Sequence, residues 1–238
     1  MSVWAVIVAG GSGERFGRPG GKQLARAADR PLVAWTLDGF EATASVDGVV
    51  VVCHPERVDE FKVACGAQGA RSKVVSVVAG GATRQESVRA GVAAVPEDAE
   101  VIIVHDGARP LVTAEIIGGS VSALLADPDL AGVVVGHPVY DTLKTVGPDA
   151  EVLGTADRST MWVAQTPQVF VADVLRVAIE SAAASGVVAT DDASLVELAG
   201  GRIRMLEGPR TNIKVTVPED IAVVDALLQA RVRDQKGR

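Results

Sequence analysis

Aromatic side chains make up only 3% of this 238-residue chain (four Phe, three Trp, one Tyr), so its interior has to be filled by aliphatic residues. Hydrophobic residues still amount to 48%. A core of Val, Ala, Leu and Ile suits β-branched strands covered by alanine-rich helices. Cysteine is scarcer still. Cys53 and Cys65 make no metal-ligand cluster and both fall in segments that read as buried, which predicts structural thiols in a reducing compartment. The three histidines, His54, His105 and His137, lack metal-site spacing, and there is no nucleophile elbow or other set that suggests a covalent nucleophile. Positive charge is not in excess either. A net charge of −7 excludes a surface that coats nucleic acid, which needs a basic footprint. The apolar run near the start is shorter than a membrane span and broken by glycines, so a soluble, cytoplasmic protein with neither membrane nor nucleic acid as partner is expected.

What is present is a regular alternation. Short apolar runs at 3–9, 48–53, 73–79, 100–106 and 131–136 read as buried parallel strands. Between them, 31–43, 55–66, 83–95 and 113–127 have helical spacing and Pro or Thr starts. Strand and helix repeated in this way predict an α/β, doubly wound sheet in one domain over 1–238, with ligands at the carboxyl ends of its strands. After residue 136 the pattern gives way to extended pieces around a Gly-Pro-Asp turn, which reads as an arm leaving the domain. Helices return at "VADVLRVAIESAAASG" and "TDDASLVELAG". A strand "RIRMLEG", a short "NIKVTV" and a closing helix from Pro218 follow, with the tail "RDQKGR" expected to fray.

The strand ends carry the chemistry. The first runs into Gly10, Gly11 and Gly13, whose backbone can approach a ligand closely and turn N–H groups toward an anion. Two familiar phosphate motifs narrowly fail: both would need glycine at Phe16, and the Walker pattern would also need Ser or Thr at Gln23. What remains is a loop with Arg15 and Lys22, two cations able to spread over a polyphosphate. Gly80 and Gly81 follow the third strand and open a helix bearing Arg84 and Ser87, where base and phosphate contacts are both possible. Asp106 and Arg109 end the fourth strand, and His105 beside them reads as a packed strand residue rather than a base. Farther on stand Thr142, Arg158, Thr166 and Lys214. Together they describe a cationic pocket with one or two carboxylates, suited to a nucleotide and a phosphorylated substrate. Nucleotidyl transfer can run on positioning and charge stabilisation alone.

The set Ala9-Gly10-Gly11-Ser12-Gly13-Glu14-Arg15 with Lys22-Gln23, Gly80-Gly81 with Arg84 and Ser87, His105-Asp106-Gly107-Ala108-Arg109-Pro110, Asp141-Thr142, Thr166-Pro167-Gln168, Thr190-Asp191-Asp192-Ala193-Ser194 and Asn212-Ile213-Lys214 resembles the 2-C-methyl-D-erythritol 4-phosphate cytidylyltransferases. The likeness is collinear from about residue 3 to 228. It implies a Rossmann-like, glycosyltransferase-A-like nucleotidyltransferase sheet with helices on both faces and a protruding β-arm at about 137–160 that makes a homodimer. It also implies a reaction of CTP, accompanied by Mg²⁺, with a polyol phosphate in the non-mevalonate isoprenoid route. Arg15, Lys22 and Lys214 would be catalytic. Ala9, Gly10, Gly11, Gly13, Gly80, Gly81, Arg84 and Ser87 would bind the nucleotide, and Asp106, Arg109 and Thr166 the substrate, with Thr142 and Arg158 supplied by the partner's arm.

This sequence departs from the family pattern in two loop positions. Ala9-Gly10-Gly11 stands where Ala-Ala-Gly is common, and Gly21 stands where proline often precedes the lysine. Without a fixed φ before Lys22, residues 14–21 are expected to be mobile in the absence of nucleotide. The Ala-Gly-Gly opening also resembles ribitol 5-phosphate cytidylyltransferases, the alternative within the same chemistry. A CTP-binding module without turnover is the alternative outside it, and the presence of Arg15, Lys22, Asp106, Arg158 and Lys214 together speaks against that.

Overall fold

Side chains along β1 (Val3–Ala9) go alternately to two separate cores: Ala5, Ile7 and Ala9 to one, Val6 and Val8 to the other. β4 (Gly48–Cys53) and β6 (Val101–Asp106) divide in the same way, with Val49 and Val51 opposite Val50 and Val52, and Val101 and Ile103 opposite Ile102 and Val104. Successive strand residues point to opposite faces, so strands apolar at every position demand cover on both. The computed structural model describes residues 1–11, 16, 22–66 and 73–236. In it, α1 (Leu32–Glu41), α2 (Val58–Ala64) and α4 (Ala114–Leu125) cover the first face through Leu37, Phe40, Phe61 and Ile117. The second face is covered by α3 (Arg84–Ala93), α5 (Ala172–Ser185) and α6 (Asp192–Leu198) through Val88, Val92, Leu175 and Val196. A Cβ on Gly91 would stand 2.4 Å from Val6 and 2.6 Å from Val52, so only glycine lets α3 lie this close to the sheet.

The sheet has seven strands in the order β11-β7-β10-β6-β1-β4-β5, where β5 is Val74–Ala79, β7 Gly132–Pro138, β10 Trp162–Val171 and β11 Ile203–Glu207. From β1 the chain steps outward through β4 and β5, then crosses to β6 on the other side of β1. Such a reversal leaves a crevice outside the carboxyl ends of the strands. A third core closes one side of that crevice, where α7 (Glu219–Lys236) buries Val224 and Leu228 against Trp35 and Leu111. A two-stranded ribbon of β2 (Arg26–Ala27) and β3 (Arg30–Pro31) joins it, with Trp35 Nε1 donating to the Ala27 carbonyl at 2.8 Å. No helix among the described residues is long and apolar enough to cross a membrane.

The extended region after residue 136 holds more than an arm. The hairpin of β8 (Lys144–Val146) and β9 (Val152–Thr155) does form a separate two-stranded sheet, turning at 147–151. Trp162–Val171, however, returns to the main sheet and pairs antiparallel with both β6 and β7. Its "QTPQ" stretch does not read as a central strand, because proline cannot donate to a ladder and two glutamines are polar side chains that a core must satisfy. A register shift between Ala164 and Gln168 accommodates the proline, and Gln168 finds partners in Asp191 and Ala193. "NIKVTV" forms no strand. The Asp220 carboxylate accepts the backbone N–H groups of Thr216 and Val217, Asn212 and Ile213 donate to nearby carbonyls, and Val215 reaches the Ala108 carbonyl in place of a ladder. α7 continues through Lys236, into the tail expected to fray, whose last two residues lie outside the described residues.

Candidate active site

Four strand ends meet in one cleft of about 630 Å³: Gly10 and Gly11 after β1, His54 and Pro55 after β4, Gly80 and Gly81 after β5, and Asp106 at the end of β6. The glycine pair after β5 is close-packed. A Cβ on Gly80 would come within 2.6 Å of Ser87 Oγ, and one on Gly81 within 2.3 Å of Glu86 Cβ, so the β5 loop folds flat against α3 only as glycine.

The N-terminus of α3 is already satisfied. Thr83 Oγ1 accepts from the Glu86 N–H at 3.1 Å, and the Glu86 carboxylate accepts from the Thr83 N–H at 2.9 Å. This capping box fills two of the helix's orphan donors and sets a carboxylate at its positive end. The wall at Gly80, Gly81 and Ser87 therefore suits a neutral ring with donors and acceptors. Of the two contacts open in the sequence, base and phosphate, this end of the cleft favours the base. Ser87, 3% exposed, lines it with its hydroxyl bonded to the Thr83 carbonyl at 2.9 Å.

Beside that wall lies an ionic cluster. Asp106 takes Lys214 Nζ at 2.8 Å, Arg84 Nε at 3.4 Å and Arg109 Nε at 3.5 Å. Burial pushes its carboxyl up, but Lys214, Arg84 and Arg109 together outweigh burial and hold it well below the usual carboxylate range. Asp106 is thus a fixed anion that orients cations rather than a proton acceptor. Arg84 has a second and closer partner, Asp192, at 2.8 Å. Burial opposes the Arg84 charge, yet Asp192 and Asp106 raise its pKa above the ordinary value. Burial likewise pushes the Asp192 carboxyl up while Arg84 pulls it back, and at this distance the two stand as an ion pair.

Behind Asp106 lies a neutral support. Thr166 Oγ1 accepts from the Asp106 N–H at 3.0 Å and stands 3.0 Å from His105 Nδ1. His105 Nε2 faces the Arg109 carbonyl at 3.4 Å, a group that can only accept, so the ring proton sits on Nε2 and the Thr166 hydroxyl donates to Nδ1. His105 is fully buried, edge-on to Phe40, and burial pushes its pKa down to about 3. It is a packed strand residue, as its place in the sequence suggests. An unfolded histidine titrates near 6.5, so between about pH 6.5 and 3 the unfolded chain binds a proton that the folded chain does not. Stability then falls as pH falls through this window, by up to about 1.4 kcal/mol per pH unit. Urea midpoints measured from pH 7 to pH 5 are expected to drop in the wild type and to drop less steeply in His105→Gln; equal slopes would refute the assignment.

Of the residues singled out in the sequence, Gly10, Gly11, Lys22, Gly80, Gly81, Arg84, Ser87, Asp106 and Lys214 line the cleft. Ala9 is buried at the end of β1 without lining it, and Arg109 and Thr166, 8% and 3% exposed, are packed behind Asp106. Arg109 Nη1 donates there to the Asn212 carbonyl at 2.8 Å. Thr142 and Arg158 stand exposed on the arm, outside this chain's own cleft. Gly13, Arg15 and most of the loop expected to be mobile lie outside the described residues. Sequence reading gave no role to His54, Pro55, Gln23 or Asp192. The first two follow a strand end and were reachable by the same rule that singled out Gly10 and Gly80. Asp192 directly follows the α6 cap, Asp191, a position that turns a carboxylate inward.

Among the described residues no three His, Cys, Asp or Glu converge to hold a metal ion. Asp106 is committed to cations and Glu86 to the capping box. The described side chains thus make no resident divalent-metal site, whereas the phosphate oxygens of a nucleotide are suitable Mg²⁺ ligands by themselves.

The IspD family model, 2-C-methyl-D-erythritol 4-phosphate cytidylyltransferase, matches residues 3–230. A protein of that name from Symbiobacterium thermophilum is 40% identical over 233 residues, covering 98% of this chain and 95% of its own. Another from Geobacter metallireducens is 39% identical over 235 residues, covering 98% and 100%. The crystal structure of 4-diphosphocytidyl-2C-methyl-D-erythritol synthase from Anaerococcus prevotii superposes with a TM-score of 0.83 at 27% identity, covering 96% of each chain.

Proposed function

The chain belongs to the 2-C-methyl-D-erythritol 4-phosphate cytidylyltransferase family, and we propose from that premise that it joins CTP to 2-C-methyl-D-erythritol 4-phosphate, releasing pyrophosphate. The observation that carries this reading is the polarity of the cleft. A glycine-built wall for a base, its one cation Arg84 paired with Asp192, shares the cleft with Lys22 and an Asp106-anchored Lys214.

The backbone at Ala9 and Gly10, with Gly81 and Ser87, reads the cytosine edge. Gly11, Gly13 and Gly80 let the main chain close on the nucleotide. An oxygen of the substrate phosphate attacks the α-phosphorus; a phosphorus–oxygen bond forms as the bond to pyrophosphate breaks, and the electron pair leaves with pyrophosphate. The nucleophile is already ionised, so no general base is required. Arg15, Lys22 and Lys214 neutralise charge that builds on the α-phosphate and the leaving group. Mg²⁺ held by the phosphate oxygens of CTP would shield the charge of the triphosphate. Asp106 fixes Lys214 beside the polyol phosphate, and Arg109 and Thr166 fix Asp106.

A second copy of the chain completes the substrate site. Val146, Val152 and Leu153 on the arm are 50–66% exposed, an apolar surface that a partner subunit would cover. Thr142 and Arg158 then reach the neighbour's cleft and grip the substrate phosphate.

Pyrophosphate release with CTP and Mg²⁺ tests the reading, with methylerythritol 4-phosphate and ribitol 5-phosphate offered in parallel and ATP, GTP and UTP as controls. Turnover confined to CTP and methylerythritol phosphate is expected. Turnover with ribitol phosphate alone would reassign the substrate, and silence with both would return the chain to nucleotide binding without catalysis.

A further inference from the structure

We propose that Asp192 is a positioning residue that, by holding Arg84, keeps the base-binding wall of the cleft from binding phosphate and so fixes the direction in which the nucleotide lies. This rests on the cytidylyltransferase reading of the cleft.

Arg84 is an unexpected group to find at that wall. It opens α3 next to Gly80, Gly81 and Ser87, lines the cleft, and its side chain is 31% exposed. A guanidinium is the best phosphate ligand among side chains, through paired, charge-assisted hydrogen bonds. Left without a close counter-charge, it would compete with Lys22 and Lys214 for the triphosphate from its place between Asp106 and the glycine wall. Asp106 cannot restrain it alone. Its Oδ2 serves Lys214 and Arg109, and its Oδ1 lies 3.4 Å from Arg84. Asp192 supplies the closer contact, at 2.8 Å from Nη2, and is itself 1% exposed.

The position of Asp192 is built rather than incidental. Asp191 caps α6 by accepting from the Ser194 N–H at 3.0 Å, and its Oδ2 accepts from Gln168 Nε2 at 2.8 Å. The same Gln168 accepts from the Ala193 N–H at 3.0 Å, so β10 clamps both sides of Asp192 and turns it toward Arg84. The cluster holds two carboxylates, Asp106 and Asp192, against three cations, Arg84, Arg109 and Lys214. Neutralising Asp192 raises its net charge from one positive to two, with the added charge at the base wall.

Asp192→Asn keeps the shape and removes the charge. A nucleotide bound backwards in the variant is unproductive, and unproductive binding lowers kcat and KM for CTP by the same factor while leaving kcat/KM unchanged. Both are expected to fall about tenfold, and calorimetric titration should show pyrophosphate binding about tenfold tighter than in the wild type. Adding Arg84→Gln removes the stray cation and should return pyrophosphate affinity to within about threefold of the wild type. Asp192→Glu, which retains the charge, should keep wild-type pyrophosphate affinity and covers the case in which Asp192→Asn does not fold. Loss of kcat/KM with unchanged kcat, unchanged pyrophosphate affinity in Asp192→Asn, or a double variant no better than the single would each overturn the proposal. The titration needs no turnover, so it reads the Arg84 charge even if the wild type proves inactive with methylerythritol phosphate.

Discussion

Lys22→Ala is expected to lower turnover by about 10²–10³ while leaving the melting temperature nearly unchanged. Lys22 opens a single 3₁₀ turn, Lys22–Leu24, in which Gln23 is buried at 4% exposure while Lys22 lines the cleft. The buried neighbour anchors the segment, so the loss of one cleft-facing side chain leaves the packing intact. In the proposed reaction its ammonium acts on charge that grows as pyrophosphate departs, a charge that is small in the bound ground state. The loss should therefore fall on kcat more than on KM for CTP. Steady-state kinetics with both substrates at saturation measure it. A protein that merely sensed CTP would lose affinity instead, and full turnover by the variant would remove Lys22 from the chemistry.

Asp106→Asn is expected to act on stability and catalysis together. The carboxylate is 6% exposed and faces Lys214, Arg84 and Arg109. An isosteric amide leaves their charges without a shared counter-charge, and breaking a buried ion pair from one side costs about 3–5 kcal/mol. Arg109 bears most of this, because it is 8% exposed and burial already pushes its pKa down against the pull of Asp106. Lys214, freed from its 2.8 Å contact, no longer points at the substrate phosphate, so turnover should fall even at temperatures where the variant is folded. Denaturant midpoints and kcat measured on the same preparation separate the two effects. A variant as stable as the wild type would mean that the three cations are satisfied elsewhere.

Much of this architecture could be read from residue order. The strands from Val3, Gly48 and Val101 and the helices between them follow from apolar runs and their spacing, because a doubly covered sheet writes both faces into consecutive residues. β10 was harder to see, since what makes it a core strand is the set of partners that Gln168 finds in α6, distant in sequence. The glycine and lysine positions of the cleft were legible because they follow strand ends. The standing of Arg84 was not. Sequence places it in the nucleotide loop, and only the fold brings Asp192, 108 residues away, within reach to occupy it. Arg109 and Thr166 illustrate the same limit: position identified them as part of the site, whereas their burial makes them supports for Asp106.

The capping box at α3 bears on anyone designing a competitor for this cleft. Glu86 holds a carboxylate at the helix end nearest the base wall, so a compound with acidic groups at both ends would meet repulsion at one of them whichever way it entered. A competitor should be lopsided, with its negative charge gathered near Lys22 and Lys214 and an uncharged, flat, hydrogen-bonding head at Gly81 and Ser87.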